Sequence, residues 1–382
     1  MGCPRRALDA SKLENYFLSN GFTIAKNPNS SDYILFITCA FRKNEEDFAI
    51  RRIQQLTKYR GELIIGGCLK GINRERLNKN FNGESFTSSN IEYIDELFPD
   101  FKTKFHDLPD SNILSLRNKL QIFREYFFAL RFDISFLKRL KVYWEKRVSR
   151  QYYYLRIGWG CVDHHCAFCV IWRAIGKLKS KPPDICVNEL GKALGNGYKN
   201  IIIIADNPGA YGVDINMTFV DLLNKLLEVE GDYNIEIEGL HPFWLIKYLD
   251  GLISLFQSSK IKLMLCPVQS GNSRILKLMN RRHDAFQLKE ALLKVRRVCP
   301  QLKLHTHIIV GFPSETEEEF QESLNLVRDV GIDLVKIYGY TKNCSTTNLD
   351  LLTQEIPATI IQRRMKKAMK WLAKNRIACA TA

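Results

Sequence analysis

Apolar and polar positions along this chain fall into two regimes. Up to residue 98, short apolar runs alternate with amphipathic stretches. Leu13–Leu18 repeats at helical spacing, Asp32–Thr38 is an apolar run ending at Cys39, and Phe48–Tyr59 is amphipathic. Glu62–Cys68 is a second apolar run, closed by Gly66-Gly67-Cys68. Apolar runs of this length bounded by turn residues predict buried strands. The pattern therefore predicts a small open parallel α/β sheet, with Cys39 and Cys68 at the C-terminal ends of its strands. That edge is where open α/β sheets build sites. Cys3 lies just ahead of the first helix, so three cysteines distant in sequence can meet there.

From Tyr152 the pattern changes to regular alternation. Strands are predicted at Tyr152–Ile157, Asn200–Ala205, Asn234–Glu238, Lys262–Leu265, Lys303–Val310 and Asp333–Tyr338. Helices fit between them at Pro183–Asn196, Pro242–Phe256, Ser273–Met279, Ala285–Val298 and Glu315–Val330, and a basic helix follows at Pro357–Ala373. Strands alternating with crossover helices imply a parallel, partial (β/α)6 barrel, short of the eight strands of a full one. The expected organisation is α/β throughout: a domain at 1–98, a helical insert at 99–150, a core at 151–345 and a C-terminal helix at 346–382. The insert interleaves Phe, Tyr and Trp with Arg and Lys over Leu116–Arg150. It reads either as amphipathic helices packed on a neighbour or as a basic, aromatic surface for a substrate or partner.

Composition narrows the setting. The chain has 382 residues, 46% hydrophobic and 25% charged, ordinary for a globular protein. No apolar run reaches a membrane span, and Met1-Gly2-Cys3-Pro4-Arg5-Arg6 has no apolar signal region. A reducing cytoplasm is the expected location, where 11 cysteines argue for metal or redox chemistry rather than disulfides. A net charge of +15 favours polyanionic partners without choosing among nucleic acid and acidic peptides.

The most informative run is Cys161-Val-Asp-His-His-Cys166-Ala-Phe-Cys169. Three thiolates this close can hold three irons of one iron–sulfur cube and leave the fourth iron open. Taken alone, the run also fits a structural zinc site, with His164 or His165 as fourth ligand. With Phe168 between the last two cysteines it resembles the radical S-adenosylmethionine (SAM) signature. Further motifs widen that resemblance: Gly2-Cys3-Pro4-Arg5 with Asp9, Thr38-Cys39-Ala40-Phe41, Gly67-Cys68-Leu69, Lys179-Ser-Lys-Pro182, Gly209-Ala-Tyr-Gly212, His241-Pro242, Pro267-Val-Gln-Ser-Gly271, Met279-Asn-Arg281, and Ile309-Val-Gly-Phe-Pro313 with Glu315-Thr-Glu317. In this order they resemble the radical SAM methylthiotransferases, a family that modifies tRNA adenosines or a ribosomal protein. The chain departs from the family in a first cysteine gap of four residues, and in Arg6, Leu240 and His283 at positions usually Asn, Ser-type and aromatic. Too few residues follow Trp371 for the family's C-terminal RNA-binding TRAM barrel.

The resemblance implies a methylthio transfer to an unactivated C–H bond, using two SAM molecules and two [4Fe–4S] clusters. Cys161, Cys166 and Cys169 are expected to hold the cluster that cleaves SAM, and Cys3, Cys39 and Cys68 the cluster that carries sulfur. No side chain is expected to act as a catalytic acid, base or nucleophile, since the cofactors generate the radical. SAM contacts are expected from Phe168, Asp206, Asn207, Gln269, Ser270 and Arg281. Asp206 reads equally as a turn cap, and Gln269-Ser270 as a helix cap. Cys186, Cys266, Cys299, Cys344 and Cys379 read as buried or free thiols. A peptide or protein acceptor is expected, such as a ribosomally made natural-product precursor, with methylthiolation of a tRNA adenosine or another radical SAM sulfur-insertion reaction as alternatives. An external reductant such as flavodoxin or ferredoxin and a monomeric chain complete the expectation. A non-enzyme reading, an RNA-binding protein with structural clusters, fits less well, because structural sites are usually closed.

Overall fold

The computed structural model describes residues 3–114, 152–162, 166–342 and 355–381; the aromatic stretch at 116–150, His164, His165 and Cys344 lie outside them. Contacts divide the chain into two compact units. One is Met1–Tyr152 with Val170–Lys177, and the other comprises Tyr153–Cys169 and Leu178 onward. Val170–Lys177 therefore goes with the first unit, although it lies inside the range predicted for the core. The reason is packing. Val170 and Ala174 are buried in the first unit's core, and a Cβ at Gly71 would meet the Ala174 Cα at 2.6 Å.

In the first unit, β1 (Tyr33–Thr38) pairs in parallel with β2 (Glu62–Gly67), in register from Tyr33–Glu62 to Thr38–Gly67. Around them lie α1 (Pro4–Ser19), α2 (Lys43–Leu56), α3 (Cys68–Ile72), α4 (Arg74–Asn78), α5 (Ile94–Leu97) and α6 (Trp172–Ile175). Pro4 occupies the first turn of α1, where its missing N–H costs nothing, so the helix begins immediately after Cys3. Ile50, Ile53, Leu63 and Ile65 fill one side of the sheet, and Leu13, Tyr16, Ile64 and Phe86 the other. Glu46 of α2 is buried and accepts from Asn73 at 2.9 Å and Arg76 at 2.7 Å, tying α2 to α4.

The second unit is built on one sheet: β3 (Tyr152–Arg156), β6 (Asn200–Ile204), β7 (Asn234–Glu238), β8 (Ile261–Leu265), β9 (Lys303–Val310), β10 (Leu334–Gly339) and β11 (Ala378–Thr381), side by side in that order. The pairings from β6 to β11 are parallel. A short antiparallel pair, β4 (Gly158–Trp159) and β5 (Lys179–Ser180), stands apart. Crossover helices follow: α7 (Pro183–Gly195), α8 (Phe219–Glu228), α9 (Pro242–Lys247), α10 (Leu249–Phe256), α11 (Ser273–Leu278), α12 (Ala285–Val298), α13 (Glu317–Val330) and α14 (Ala358–Lys374). Ile201, Ile203, Ile235, Ile237, Met264 and Val335 form the interior. Capping boxes open α8, α12 and α13. The sheet is a partial barrel as expected, with one strand more than predicted. β11 is a four-residue edge strand, Ala-Cys-Ala-Thr, whose small side chains give no apolar pattern to read. The predicted helix Pro242–Phe256 is two helices, broken at Tyr248. Among the described residues no helix is long and apolar enough to cross a membrane.

α14 lies against the C-terminal ends of β9 and β10. A Cβ at Gly311 would meet the Ile361 side chain at 2.4 Å, and one at Gly339 the Met365 sulfur at 2.9 Å. Arg364 fixes the helix there. Its Nη1 donates to the Glu315 carboxylate at 3.1 Å and to the Glu315 carbonyl at 3.0 Å, and its Nε to Glu317 at 2.9 Å. Glu315 also accepts from the Gly311 N–H at 2.7 Å. The opposite face of α14 is exposed and basic.

Two predictions follow from these arrangements. Arg364→Ala strands the buried Glu315 carboxylate and should cost roughly 3–5 kcal/mol at about pH 8, read by urea unfolding of the second unit. Burial already pushes the Glu315 carboxyl up to about 7. Without Arg364 it rises further, so the folded variant binds a proton the unfolded chain does not. Its stability should therefore fall as pH rises from about 5 to 8, and a cost independent of pH would refute the coupling. Gly67 has φ +98°, and a Cβ there would lie 2.5 Å from the Thr38 carbonyl oxygen. Gly67→Ala should cost at least about 2–3 kcal/mol. Amide exchange in β1 and β2 should then be accelerated roughly 30- to 100-fold; unchanged exchange would show the turn relaxing freely.

Candidate active site

Two cysteine sites are described, one in each unit. In the first, Cys39 follows β1, Cys68 opens α3 directly after β2, and Cys3 stands at the N-cap of α1. Parallel register brings the ends of β1 and β2 level. The Thr38 hydroxyl then bridges them, donating to the Gly66 carbonyl at 2.8 Å and accepting from the Leu69 N–H at 3.1 Å. Cys39 and Cys68 are thereby held in one turn system. The Cys68 sulfur lies 4.0 Å from the Ser88 hydroxyl. Burial, joined by the nearby Cys68 and Cys3 sulfurs, pushes the Cys39 thiol well above its ordinary value. Cys68 and Cys3 are thus both near enough to Cys39 to act on its thiol. Arg6 beside Cys3 is buried and pairs with Asp9 at 3.0 Å.

In the second unit the cysteine loop leaves β4 through Gly160, at φ +75°. The Gly160 N–H donates to Asp206 at 3.0 Å, and Asn207 Nδ2 donates to the Cys161 sulfur at 3.5 Å. Both residues come from the C-terminal end of β6. Downstream, the Ala167 N–H donates to the Met279 carbonyl at 3.0 Å, and the Cys169 N–H to the Cys166 carbonyl at 3.0 Å. Arg281 Nη1 donates to the Cys166 sulfur at 3.6 Å, and its guanidinium lies 5.3 Å from the centre of the Phe168 ring. Two of the three sulfurs therefore receive side-chain donors, one of them cationic, which suits thiolates bound to a cluster. Among the described residues no group of three or more His, Cys, Asp or Glu side chains is drawn round one point, in either unit; His164 and His165 lie outside them.

Arg281 also touches His241 Nε2, while His241 Nδ1 accepts from the Phe243 N–H at 3.1 Å. A neutral imidazole has one acceptor, so two donors compete for it. Burial, then Arg281, holds His241 well below the ordinary histidine range, so it stays neutral. His283 meets His241 edge to face at 5.8 Å, and burial and Arg281 bring it down to about 4. Neither ring nitrogen of His283 has a hydrogen-bond partner among the described residues.

The predicted SAM contacts thus divide. Phe168, Arg281, Asp206 and Asn207 surround the cysteine loop, and Asp206 and Asn207 engage it directly. Gln269 sits at φ +65° after β8, its backbone bonded to His307 and Ile309. Ser270 is fully buried; its hydroxyl meets that of Ser323 at 3.3 Å and accepts from the Asn272 N–H at 3.2 Å. It braces the turn into α11, and Asn272, not Ser270, caps that helix. That Asn207 and Arg281 donate to sulfur is not part of the sequence expectation; the signals for the two residues are position after a strand for Asn207 and the Met279-Asn-Arg281 motif for Arg281. Cys186, Cys266 and Cys299 are buried thiols, as expected, and Cys379 is half-buried on β11.

Comparison with known proteins agrees with this geometry. The Radical SAM superfamily model matches residues 157–327, and that of the uncharacterized protein family UPF0004 matches residues 1–87. A probable threonylcarbamoyladenosine tRNA methylthiotransferase of Pyrococcus horikoshii is 28% identical, over 96% of this chain and 80% of its own. The ribosomal protein uS12 methylthiotransferase RimO of Alteromonas mediterranea is also 28% identical, over 97% of this chain and 72% of its own. Among solved structures, the radical SAM methyltransferase TsrM of Kitasatospora setae shares the fold, with a TM-score of 0.57 at 10% identity over 87% of this chain and 71% of that one. With both domain matches, near full-length relatives and the cysteine loop in place, this chain belongs to the radical SAM methylthiotransferases, SAM-dependent [4Fe–4S] enzymes.

Proposed function

We propose that the enzyme uses two [4Fe–4S] clusters to insert a methylthio group at a C–H bond of a tRNA nucleoside. The observation that carries the two-cluster reading is the placement of Cys39 and Cys68 at the level ends of β1 and β2, with Cys3 at the N-cap of α1 near enough to act on the Cys39 thiol. When bound, the cluster on Cys161, Cys166 and Cys169 with SAM supplies the hydrogen-abstracting radical, and the second cluster supplies sulfur. The chain's own part is positioning. Asn207 and Arg281 stabilise negative charge on the Cys161 and Cys166 sulfurs by donating to them. Arg281, competing with the Phe243 N–H for His241, is the residue that would hold the SAM carboxylate, which would give it an acceptor of its own. The Phe168 ring, 5.3 Å from that guanidinium, helps to hold its orientation.

The acceptor is the finer part of the reading. The peptide expectation rests on the short stretch after Trp371 and on residues 116–150, and the latter lie outside the described residues. An RNA acceptor is supported by the exposed basic face of α14 and by matches to tRNA methylthiotransferases along nearly the whole chain. A protein acceptor is the second reading, favoured by ribosomal-protein methylthiotransferases of equal similarity.

Reconstituted enzyme should hold about eight irons per chain, four per cluster. Replacing Cys161, Cys166 and Cys169 together by Ala should leave about four and abolish formation of 5′-deoxyadenosine; a triple variant that still cleaves SAM would sink the assignment. The converse variant, with Cys3, Cys39 and Cys68 replaced by Ala, should go on forming 5′-deoxyadenosine yet release no methylthio product. Methylthio product from that variant would mean the sulfur comes from elsewhere.

A further inference from the structure

Helix α14 carries six basic residues and no acidic one. Two of the six are accounted for within the fold. Arg364 is buried against Glu315 and Glu317, and Lys367 pairs with Glu317 at 2.7 Å. The other four, Arg363, Lys366, Lys370 and Lys374, are exposed. Their spacing of three or four residues puts them on one face, opposite the buried Arg364, Ala368 and Leu372. They form a single row about 16 Å long. Among the described residues none of them makes an ion pair or side-chain hydrogen bond.

Elsewhere in this unit, several basic residues are matched: Lys289 pairs with Asp329, Lys294 with Asp250, Arg296 with Asp333 and Arg274 with Glu319. Others, such as Lys192, Lys225, Lys262 and Lys303, are exposed without such a pair, but they are scattered over separate elements rather than lined up on one helix face. α13 places Glu317, Glu318 and Glu319 in its first turn, as the helix dipole favours, whereas the first turn of α14 has no acid. Like charges one turn apart weaken a helix by roughly 0.2–0.5 kcal/mol per pair. A merely solvated face has no reason to collect them.

The placement is equally specific. Ile361 and Met365 seat the beginning of α14 on Gly311 and Gly339, at the C-terminal ends of β9 and β10. The cysteine loop is anchored at that same edge of the sheet, through Asp206 and Asn207 after β6. The row therefore starts at the active edge and runs away from it along the helix.

We propose that Arg363, Lys366, Lys370 and Lys374 form a track for the phosphate backbone of RNA, leading one strand to the active edge. Successive charges stand about one helical turn, ~5.4 Å, apart, comparable to neighbouring phosphates. The row is bordered by Thr359 and Gln362, which add hydrogen-bonding groups of the kind that contact phosphates. An acidic protein partner would instead want an exposed apolar anchor at the centre of the patch. The nearest large one, Trp371, is half-buried at the border rather than the centre, with the Arg328 guanidinium 6.0 Å from its ring centre.

This inference rests on an RNA acceptor, and its test separates the two. Binding of bulk tRNA to reconstituted holoenzyme is measured across a salt series. The probe proteins are wild type, a variant with Arg363, Lys366, Lys370 and Lys374 changed to Gln, and a control with Lys192, Lys225, Lys262 and Lys303 changed to Gln. All four control lysines are exposed, so both variants lose the same net charge. The α14 variant should lose about three to four from the magnitude of the slope of log K against log salt, roughly one per phosphate contact. The control should keep the wild-type slope, and all three proteins should cleave SAM at the same rate. Equal slopes for both variants overturn the track. If the α14 variant keeps the wild-type slope and the protein still modifies tRNA, only the surface is wrong. If wild type fails to bind tRNA but modifies a ribosomal protein, both the track and the RNA acceptor fall.

Discussion

Sulfur ligands for a cluster must be held at fixed separations, and loops alone do not hold them. The register of parallel strands supplies the constraint. In the first unit the last residues of β1 and β2 are level, so one hydroxyl, that of Thr38, can lock the turns that carry Cys39 and Cys68. Gly67 permits the close approach that makes this possible. In the second unit the end of β6 presents Asp206 to the Gly160 N–H and Asn207 to the Cys161 sulfur. The loop after α11 presents Arg281 to Cys166. Each triad thus borrows rigidity from outside its own loop: from strand ends in both units, from the N-cap of α1 in the first and from the loop after α11 in the second.

That dependence explains which features the sequence reveals. Cys161, Cys166 and Cys169 are legible because their ligand spacing is local. Cys39 and Cys68 are legible because apolar runs mark the strands that end at them. The residues that brace these sulfurs are harder to see. Asn207 and Arg281 act across more than forty and more than one hundred positions, through contacts that no local pattern encodes. Ser270 illustrates the opposite case. Its place after β8 suggests a ligand contact, but burial against Ser323 commits its hydroxyl to the scaffold. β11 and the break at Tyr248 were missed for simpler reasons. Ala-Cys-Ala-Thr has no amphipathic signature, and α9 and α10 share one continuous apolar pattern.

The charge distribution also acquires meaning from the fold. A net charge of +15 is uninformative until the paired residues are set aside. Most basic side chains on α12 and α13 face acids, while the outward row on α14 does not. The same helix is held by buried Arg364 against β9 and by small glycines at the strand ends. Its basic face is therefore a fixed surface rather than a loose tail. Strand ends fix where the chemistry occurs, and the helix packed on them carries the charge toward an acceptor.

The central claim is methylthiolation of RNA by a chain that holds both cofactor sites. It is tested most directly by nucleoside mass spectrometry of bulk tRNA after anaerobic turnover with methyl-labelled SAM and a reductant. The account predicts a methylthio-adenosine nucleoside that carries the label in its methyl group, with 5′-deoxyadenosine formed alongside it. Sustained formation of 5′-deoxyadenosine with no label in the RNA would contradict it.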